Sequence, residues 1–173
     1  MSDLVLRRIA IDDQAELEQA HEELLADDFT FLFGWPDSQS SWAEYVELVA
    51  SQEDADRVLP GWVPATFFLA QVDGQIVGRV SIRHELNDRL LQSGGHVGYC
   101  VRPAFRSRGY ASQMLTAALE YLSAVGVDRV LVTCGDDNVA SVATIERNGG
   151  ELESIIDDAD GRPTRRYWIA NGG

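Results

Sequence analysis

Lysine is absent from this chain of 173 residues; all fourteen of its cationic side chains are arginine, set against 28 acidic ones. Cysteine is scarce as well. Its two copies, Cys100 and Cys134, sit singly in apolar, valine-bearing runs, a setting for reduced core thiols and not for a disulfide framework or a zinc site. No apolar run approaches the ~20 residues needed to span a bilayer, and Met1–Arg8 leads directly into a strand pattern. Repeats, linkers and low-complexity stretches are missing too. With 45% hydrophobic residues, the chain is expected to form one domain over residues 1–173, soluble and cytoplasmic, with a core that needs no metal or disulfide.

Charge is unevenly spread. Residues 1–78 hold 3 arginines and 16 acids, a balance of −13, whereas residues 79–173 hold 11 arginines and 12 acids, a balance of −1. Such a field repels nucleic acid and anionic membrane, so neither is expected as a partner, and it draws in a cationic small molecule. The spacing of the acids is also that of water-facing helix surfaces, which is the simpler reading.

The chemistry is concentrated in Val101-Arg102-Pro103-Ala104-Phe105-Arg106-Ser107-Arg108-Gly109-Tyr110-Ala111. Here a buried strand runs into a glycine-bearing turn and then a helix, Ser112 to Val125, whose first turn has no acid. First-turn N–H groups have no helical partner, and the macrodipole adds about half a positive charge there, so the turn is an anion site suited to phosphate. Gly109 and Ala111 allow close approach to the main chain, and Arg106 and Arg108 are placed to add charge-assisted bonds. The turn carries neither GxxxxGK[ST] nor GxGxxG, which removes the common nucleotide motifs.

Around this turn the periodicities give a coarse order. Leu4 to Ile9 reads as a strand, and Asp12 or Asp13 as the cap of a helix to about Asp27 with Leu17, Ala20, Leu24 and Leu25 on one stripe. Phe29 to Trp35 is aromatic and irregular; Ser41 caps a second helix through Ser51. Thr66–Val72 and Gln75–Arg83 are strands joined at Asp73-Gly74, a two-residue hairpin signal. Further strands fall at His96–Arg102 and Arg129–Cys134, a helix follows Asn138, and a last hairpin turns at Asp160-Gly161.

Arg106, Gly109 and Ala111 match the Q/R-x-x-G-x-G/A pyrophosphate loop of the GNAT superfamily of acyl-CoA-dependent N-acetyltransferases, which this chain resembles. Asn138-Val139-Ala140-Ser141 and Ile145-Glu146-Arg147-Asn148-Gly149-Gly150 resemble the superfamily's second cofactor helix, N-x-x-S followed by E-x-x-G. Arg83-His84-Glu85-Leu86-Asn87, Gly94-Gly95-His96-Val97-Gly98-Tyr99 and Arg165-Arg166-Tyr167-Trp168 are similar to a branch of bacterial acetyltransferases. The resemblance implies an α/β protein of the α+β type, in the order β-α-α-β-β-β-α-β-α-β-β. Its sheet would be mixed and mostly antiparallel, with one splayed parallel pair.

It further implies acetyl-CoA as co-substrate, without metal. Main-chain groups of Cys100, Val101 and Arg102 would pair with pantetheine; Arg106, Ser107, Arg108, Gly109, Tyr110 and Ala111 would hold the pyrophosphate; Asn138 would bond the pantetheine region with Ser141 beside it. An amine of a small molecule or peptide would attack the thioester directly, helped by positioning and by an N–H that polarises the carbonyl. Without lysine, self-acetylation does not compete. His84, Glu85, His96 and Tyr99 are the candidates beside the acetyl group. Strand parity sets Tyr99 on the inward face with Gly95 and Val97 and turns His96 the other way. The tyrosine that protonates the leaving thiolate in many members is Ile145 here, although a thiol of pKa about 8.5 leaves without an acid. Phe29, Phe31, Phe33, Trp35, Trp62, Tyr167 and Trp168 give aromatic surface towards the acceptor. An acyl-CoA-binding module of the same fold with little turnover is the alternative; an anion-binding protein for another nucleotide is a third reading. Cys134 lacks the basic neighbour a nucleophile needs. The oligomeric state stays open, a homodimer included.

Overall fold

Asp73 and Gly74 turn the chain with φ of 50° and 81°, the left-handed pair a two-residue hairpin demands. They join β2 (Ala65–Val72) to β3 (Gln75–Arg83). The structure is a computed structural model that describes residues 3–35 and 40–172. β1 (Val5–Arg7) pairs with β2, and β4 (Val97–Val101) pairs with β3, both antiparallel, so the first sheet runs β1-β2-β3-β4. β5 (Arg129–Gly135), β6 (Glu151–Asp157) and β7 (Pro163–Ala170) form a second antiparallel sheet ordered β5-β7-β6.

The sheets are stitched together at the start of β4. His96 N–H donates to the Leu131 carbonyl at 2.8 Å, and Leu131 N–H donates to His96 Nδ1 at 2.9 Å. Gly95 permits this approach: its φ is 59°, and a Cβ there would stand 2.4 Å from the Leu131 carbonyl oxygen. Beyond this joint no ladder connects β4 to β5 among the described residues. Their later residues, Tyr99 and Cys134, instead line a common cavity. This is the splayed pair that the resemblance implies.

Helices cover both faces of the first sheet. α4 (Tyr110–Ala124) lays Met114, Leu115, Ala118 and Leu122 on one face, and that core continues through Val130, Val132, Ile145, Tyr167 and Ile169 into the second sheet. α1 (Gln14–Leu25) and α2 (Trp42–Ser51) cover the other face, packing Leu17, Leu24, Trp42 and Tyr45 with Phe67 and Leu69. Each fully buried Leu or Met of these faces contributes about 2 kcal/mol. α5 (Val139–Arg147) follows β5 and buries Ile145. Among the described residues no helix is long and apolar enough to cross a membrane.

Several boundaries differ from the sequence reading. Asp13 precedes α1 but does not cap it with its side chain, because its carboxylate is taken by Arg7 (2.7 and 2.8 Å) and by the Ala10 N–H (2.7 Å). α1 ends at Leu25 instead of Asp27, and Asp28 then adopts φ 55°. A short helix, α3 (Asp88–Gln92), interrupts the loop between β3 and β4, started by the Asn87 side chain accepting from Leu90 N–H. Ser41 caps α2 as expected, with Glu44 completing a capping box.

Candidate active site

Ser41, Asn87 and Asn138 cap their helices with side chains, whereas Gly109, at the N-cap of α4, has none to offer. The first turn of α4 closes only with Gln113 N–H on the Gly109 carbonyl at 3.2 Å, so the N–H groups of Tyr110, Ala111 and Ser112 have no helical partner. Ser107 and Gly109 are both left-handed, with φ of 62° and 80°. A Cβ at Gly109 would meet nothing within 4 Å, so the glycine is there for its backbone and leaves the side of the turn open. Ser107, Gly109, Tyr110, Ala111 and Ser112 line a cavity of about 720 Å³. Asp27 is the one carboxylate among its described lining residues. An uncapped helix start facing open space fits a diphosphate.

The two arginines of the turn part company. Arg106 lines the cavity, with Nη2 2.7 Å from Asp27 Oδ2 and Nε donating to the Val101 carbonyl at 3.2 Å. Arg108 folds back, donating to the Ala104 carbonyl at 3.3 Å with its guanidinium 5.7 Å from the centre of the Phe105 ring.

Ladder parity redistributes the main-chain groups expected to face the cofactor. Arg102 N–H donates to the Val77 carbonyl (2.8 Å), and Arg83 N–H donates to the His96 carbonyl (2.7 Å). Alternate pairs carry the hydrogen bonds of an antiparallel ladder, so Cys100 and Arg102 spend theirs on β3. Tyr99 and Val101 turn theirs to the cleft. The Arg102 side chain is likewise spent, held inside by Glu23 (2.8 and 2.9 Å), Glu16 (3.1 Å) and the Ile76 carbonyl (2.9 Å).

A second cavity, about 350 Å³, adjoins the first. Phe29, Tyr99, Asn138 and Ser141 line both, so the two form one cleft with a waist at those residues. At the waist the Tyr99 hydroxyl stands 2.7 Å from Ser141 Oγ. Asn138 Oδ1 accepts the Ser141 N–H (3.1 Å), leaving its amide NH₂ for a ligand. Burial pushes the Tyr99 phenol up to about 12, so it is a protonated donor at neutral pH. Arg79 and Arg83 line the far cavity, two site residues the sequence reading missed. The signal was present: Arg79 and Arg83 share one face of a strand that otherwise reads Gln-Ile-Val-Gly-Val-Ser-Ile, and central strands seldom carry charge inward without a purpose.

The other candidates stand elsewhere. His84 lies on the α4 side, its Nε2 2.9 Å from Thr66 Oγ1, which in turn meets the Tyr121 hydroxyl at 2.9 Å. Glu85 is exposed in the bend after β3. His96 is buried at the sheet joint, its pKa lowered to about 4 by burial and by Arg83. None of the three lines either cavity. Ile145 is fully buried under α5 and away from the cleft. Cys134 lines the second cavity and Cys100 the first, and burial pushes both thiols up. Of the seven aromatics, Phe29 and Phe33 reach the second cavity; Phe31 and Tyr167 are core. Among the described residues no group of three or more His, Cys, Asp or Glu side chains could hold a metal ion.

The chain matches the family described as acetyltransferase (GNAT) domain over residues 3–151 and belongs to it. Mycothiol acetyltransferase of Streptomyces coelicolor is 31% identical over 101 residues, which cover 57% of this chain and 32% of that protein. The chain thus spans about a third of the curated relatives it matches. Among solved structures, Mycobacterium smegmatis RimJ in complex with CoA-disulfide is similar at a TM-score of 0.74 and 20% identity, over 96% of this chain and 81% of that one. Microcin C7 self immunity acetyltransferase MccE, in complex with acetyl-CoA and AMP, is similar at a TM-score of 0.70 and 18% identity, over 97% and 92%. These structural likenesses establish a shared fold.

Proposed function

We propose that the protein is an acetyl-CoA-dependent N-acetyltransferase that acts on the amine of a small molecule or peptide. One observation carries this reading: the uncapped start of α4 opens onto a cavity that meets a second one at Tyr99, Asn138 and Ser141. The amides of Gly109 to Ser112 bind the pyrophosphate, and the main-chain groups of Tyr99 together with the Val101 N–H hold the pantetheine arm as a neighbouring strand would. The Asn138 amide orients that arm at the waist. Acetyl-CoA supplies the activated acyl group. The Tyr99 and Ser141 hydroxyls, at the waist, hand a proton to the departing thiolate, while the second cavity positions the amine.

Coenzyme A is expected to raise the melting temperature of the wild-type chain. Gly109→Glu places a carboxylate at the open side of the turn and is expected to abolish that rise. An unchanged rise in the variant, or none in the wild type, refutes the site. Among the described lining residues of the cleft there is no imidazole, which favours a second reading, a module that holds acyl-CoA without turnover. Release of free thiol from acetyl-CoA across an amine panel separates the two. Cofactor binding with no thiol released from any amine supports the module.

A further inference from the structure

The far cavity holds the buried guanidinium of Arg79 and the half-buried one of Arg83 and, among its described lining residues, no carboxylate. The chain as a whole has 28 acids for 14 arginines, and the most enclosed of its other arginines is met by carboxylates. Arg102, equally interior, is clasped by Glu16 and Glu23, and Arg7 by Asp13. Arg79 and Arg83 form no ion pair with any described residue. Arg79 is almost wholly enclosed, donating to the Thr30 carbonyl at 2.8 Å and more weakly to the Gly98 carbonyl at 3.4 Å, while its buried Nε finds no partner. Phe33, Phe29 and Phe67 surround its guanidinium at 4.5, 4.9 and 5.8 Å from their ring centres. Arg83 uses Nη1 on the carbonyls of Gly94 (3.0 Å) and Gly95 (3.3 Å), which leaves its Nε and Nη2 without a described partner.

Like charges do not share an apolar recess without cost, and carbonyl oxygens and ring faces offset only part of it. Burial and the charge of Arg79 press Arg83 down to about 10, and burial lowers Arg79 as well. An anion in the cavity they share would offset both effects. A planar carboxylate accepts paired N–H groups in the fork geometry that arginine presents.

Resting on the acetyltransferase reading of the same cleft, we infer that Arg79 and Arg83 form a receptor for a carboxylate on the amine acceptor. The substrate class is then an amino acid or a similar small aminocarboxylate. The volume of about 350 Å³ lies at the small end of ligand cavities, which suits such a molecule. Glycine at position 98 keeps the approach clear, since a Cβ there would press on the Arg83 guanidinium at 3.3 Å.

The test compares matched acceptors: amino acids, their carboxamides and the corresponding amines without the acid group, each assayed by thiol release and by thermal shift on the coenzyme A-loaded protein. The expected result is a kcat/KM for the free acids about 100-fold above the carboxamides, expressed mainly in KM. Arg83→Gln should bring the two within about threefold while the melting shift caused by coenzyme A stays as in the wild type; Arg83→Lys should restore part of the preference. A short peptide with an acidic second residue serves as a parallel arm. If it outperforms the free amino acids, the carboxylate belongs to a peptide side chain. Equal use of acids and carboxamides by the wild type overturns the proposal without any variant. If no acceptor is turned over, the binding arm decides: carboxylates that give no further shift on the loaded protein refute the receptor, and failure of coenzyme A itself to shift the protein refutes the underlying reading.

Discussion

Asp27 is the one residue among the described lining of the larger cavity that opposes an anion there, and it holds Arg106 at 2.7 Å. Both side chains are about half exposed, so the pair adds little to stability. Removing the carboxylate frees the guanidinium for phosphate. Asp27→Asn is therefore expected to tighten coenzyme A binding on the order of fivefold while leaving the melting temperature of the free protein nearly unchanged. Calorimetric titration checks this, and weaker binding would contradict it. At His96 the sign is equally definite. The folded imidazole stays neutral down to about 4, whereas the unfolded one takes its proton near 6.5. Between those values the unfolded chain binds more protons. The contribution of His96 to stability is thus complete above 6.5 and is lost progressively as pH falls towards 4. Imidazole resonances followed by NMR should titrate near 4; a pKa of 6 or higher would show that the joint is open in solution. The sequence did not announce either role. It showed three histidines, and only the meeting of β4 with β5 decides that His96 caps Leu131.

At the level of elements, what was legible was local. Asp73-Gly74, the Ser41 capping box and the bare start of α4 depend on a few neighbouring residues, and each formed where its residues required. Strand-to-strand relations were less accessible. Which of Cys100, Val101 and Arg102 turns its amide outward depends on register against β3, which hydrophobic alternation does not fix by itself. The same holds for Arg79 and Arg83, whose significance comes from the cavity that β5 and the loop after α1 build over them. Gly95 is the element-scale test. A methyl group there collides with a backbone oxygen that cannot move aside, on a residue already at φ 59°. Gly95→Ala is expected to cost about 3 kcal/mol in denaturant unfolding. A loss under about 0.5 kcal/mol would mean that the joint is not where the sheets are held.

Taken whole, the molecule separates its charges by task. The acid-rich first 78 residues include α1 and α2 on one face of the first sheet, whereas the cleft is walled largely by neutral and arginine side chains. Apart from Asp27, which is paired with Arg106, no described lining residue is a carboxylate or an imidazole, and the second cavity has neither to take a proton from the amine. On the acetyltransferase reading, the acceptor then loses its proton to water. Its kcat/KM is expected to climb with pH until the pKa of the amine itself is passed, and two amines of different basicity should bend at two different pH values. A shared bend for both would place a base in the protein.

The joint at His96 and Leu131 gives the molecule the mechanics of a hinged clip, fastened at one end and gaping at the other. Tyr99 lies on β4 and Asn138 just beyond the end of β5, so the spacing between them follows from how the two strands leave the joint. On the acetyltransferase reading, the gap that accepts the acyl chain is set at a distance, by how closely Gly95 lets two backbones approach. The same Gly95→Ala protein, if it folds, should turn over butyryl-CoA relative to acetyl-CoA in a different ratio from the parent, though the substitution is made away from Tyr99 and Asn138.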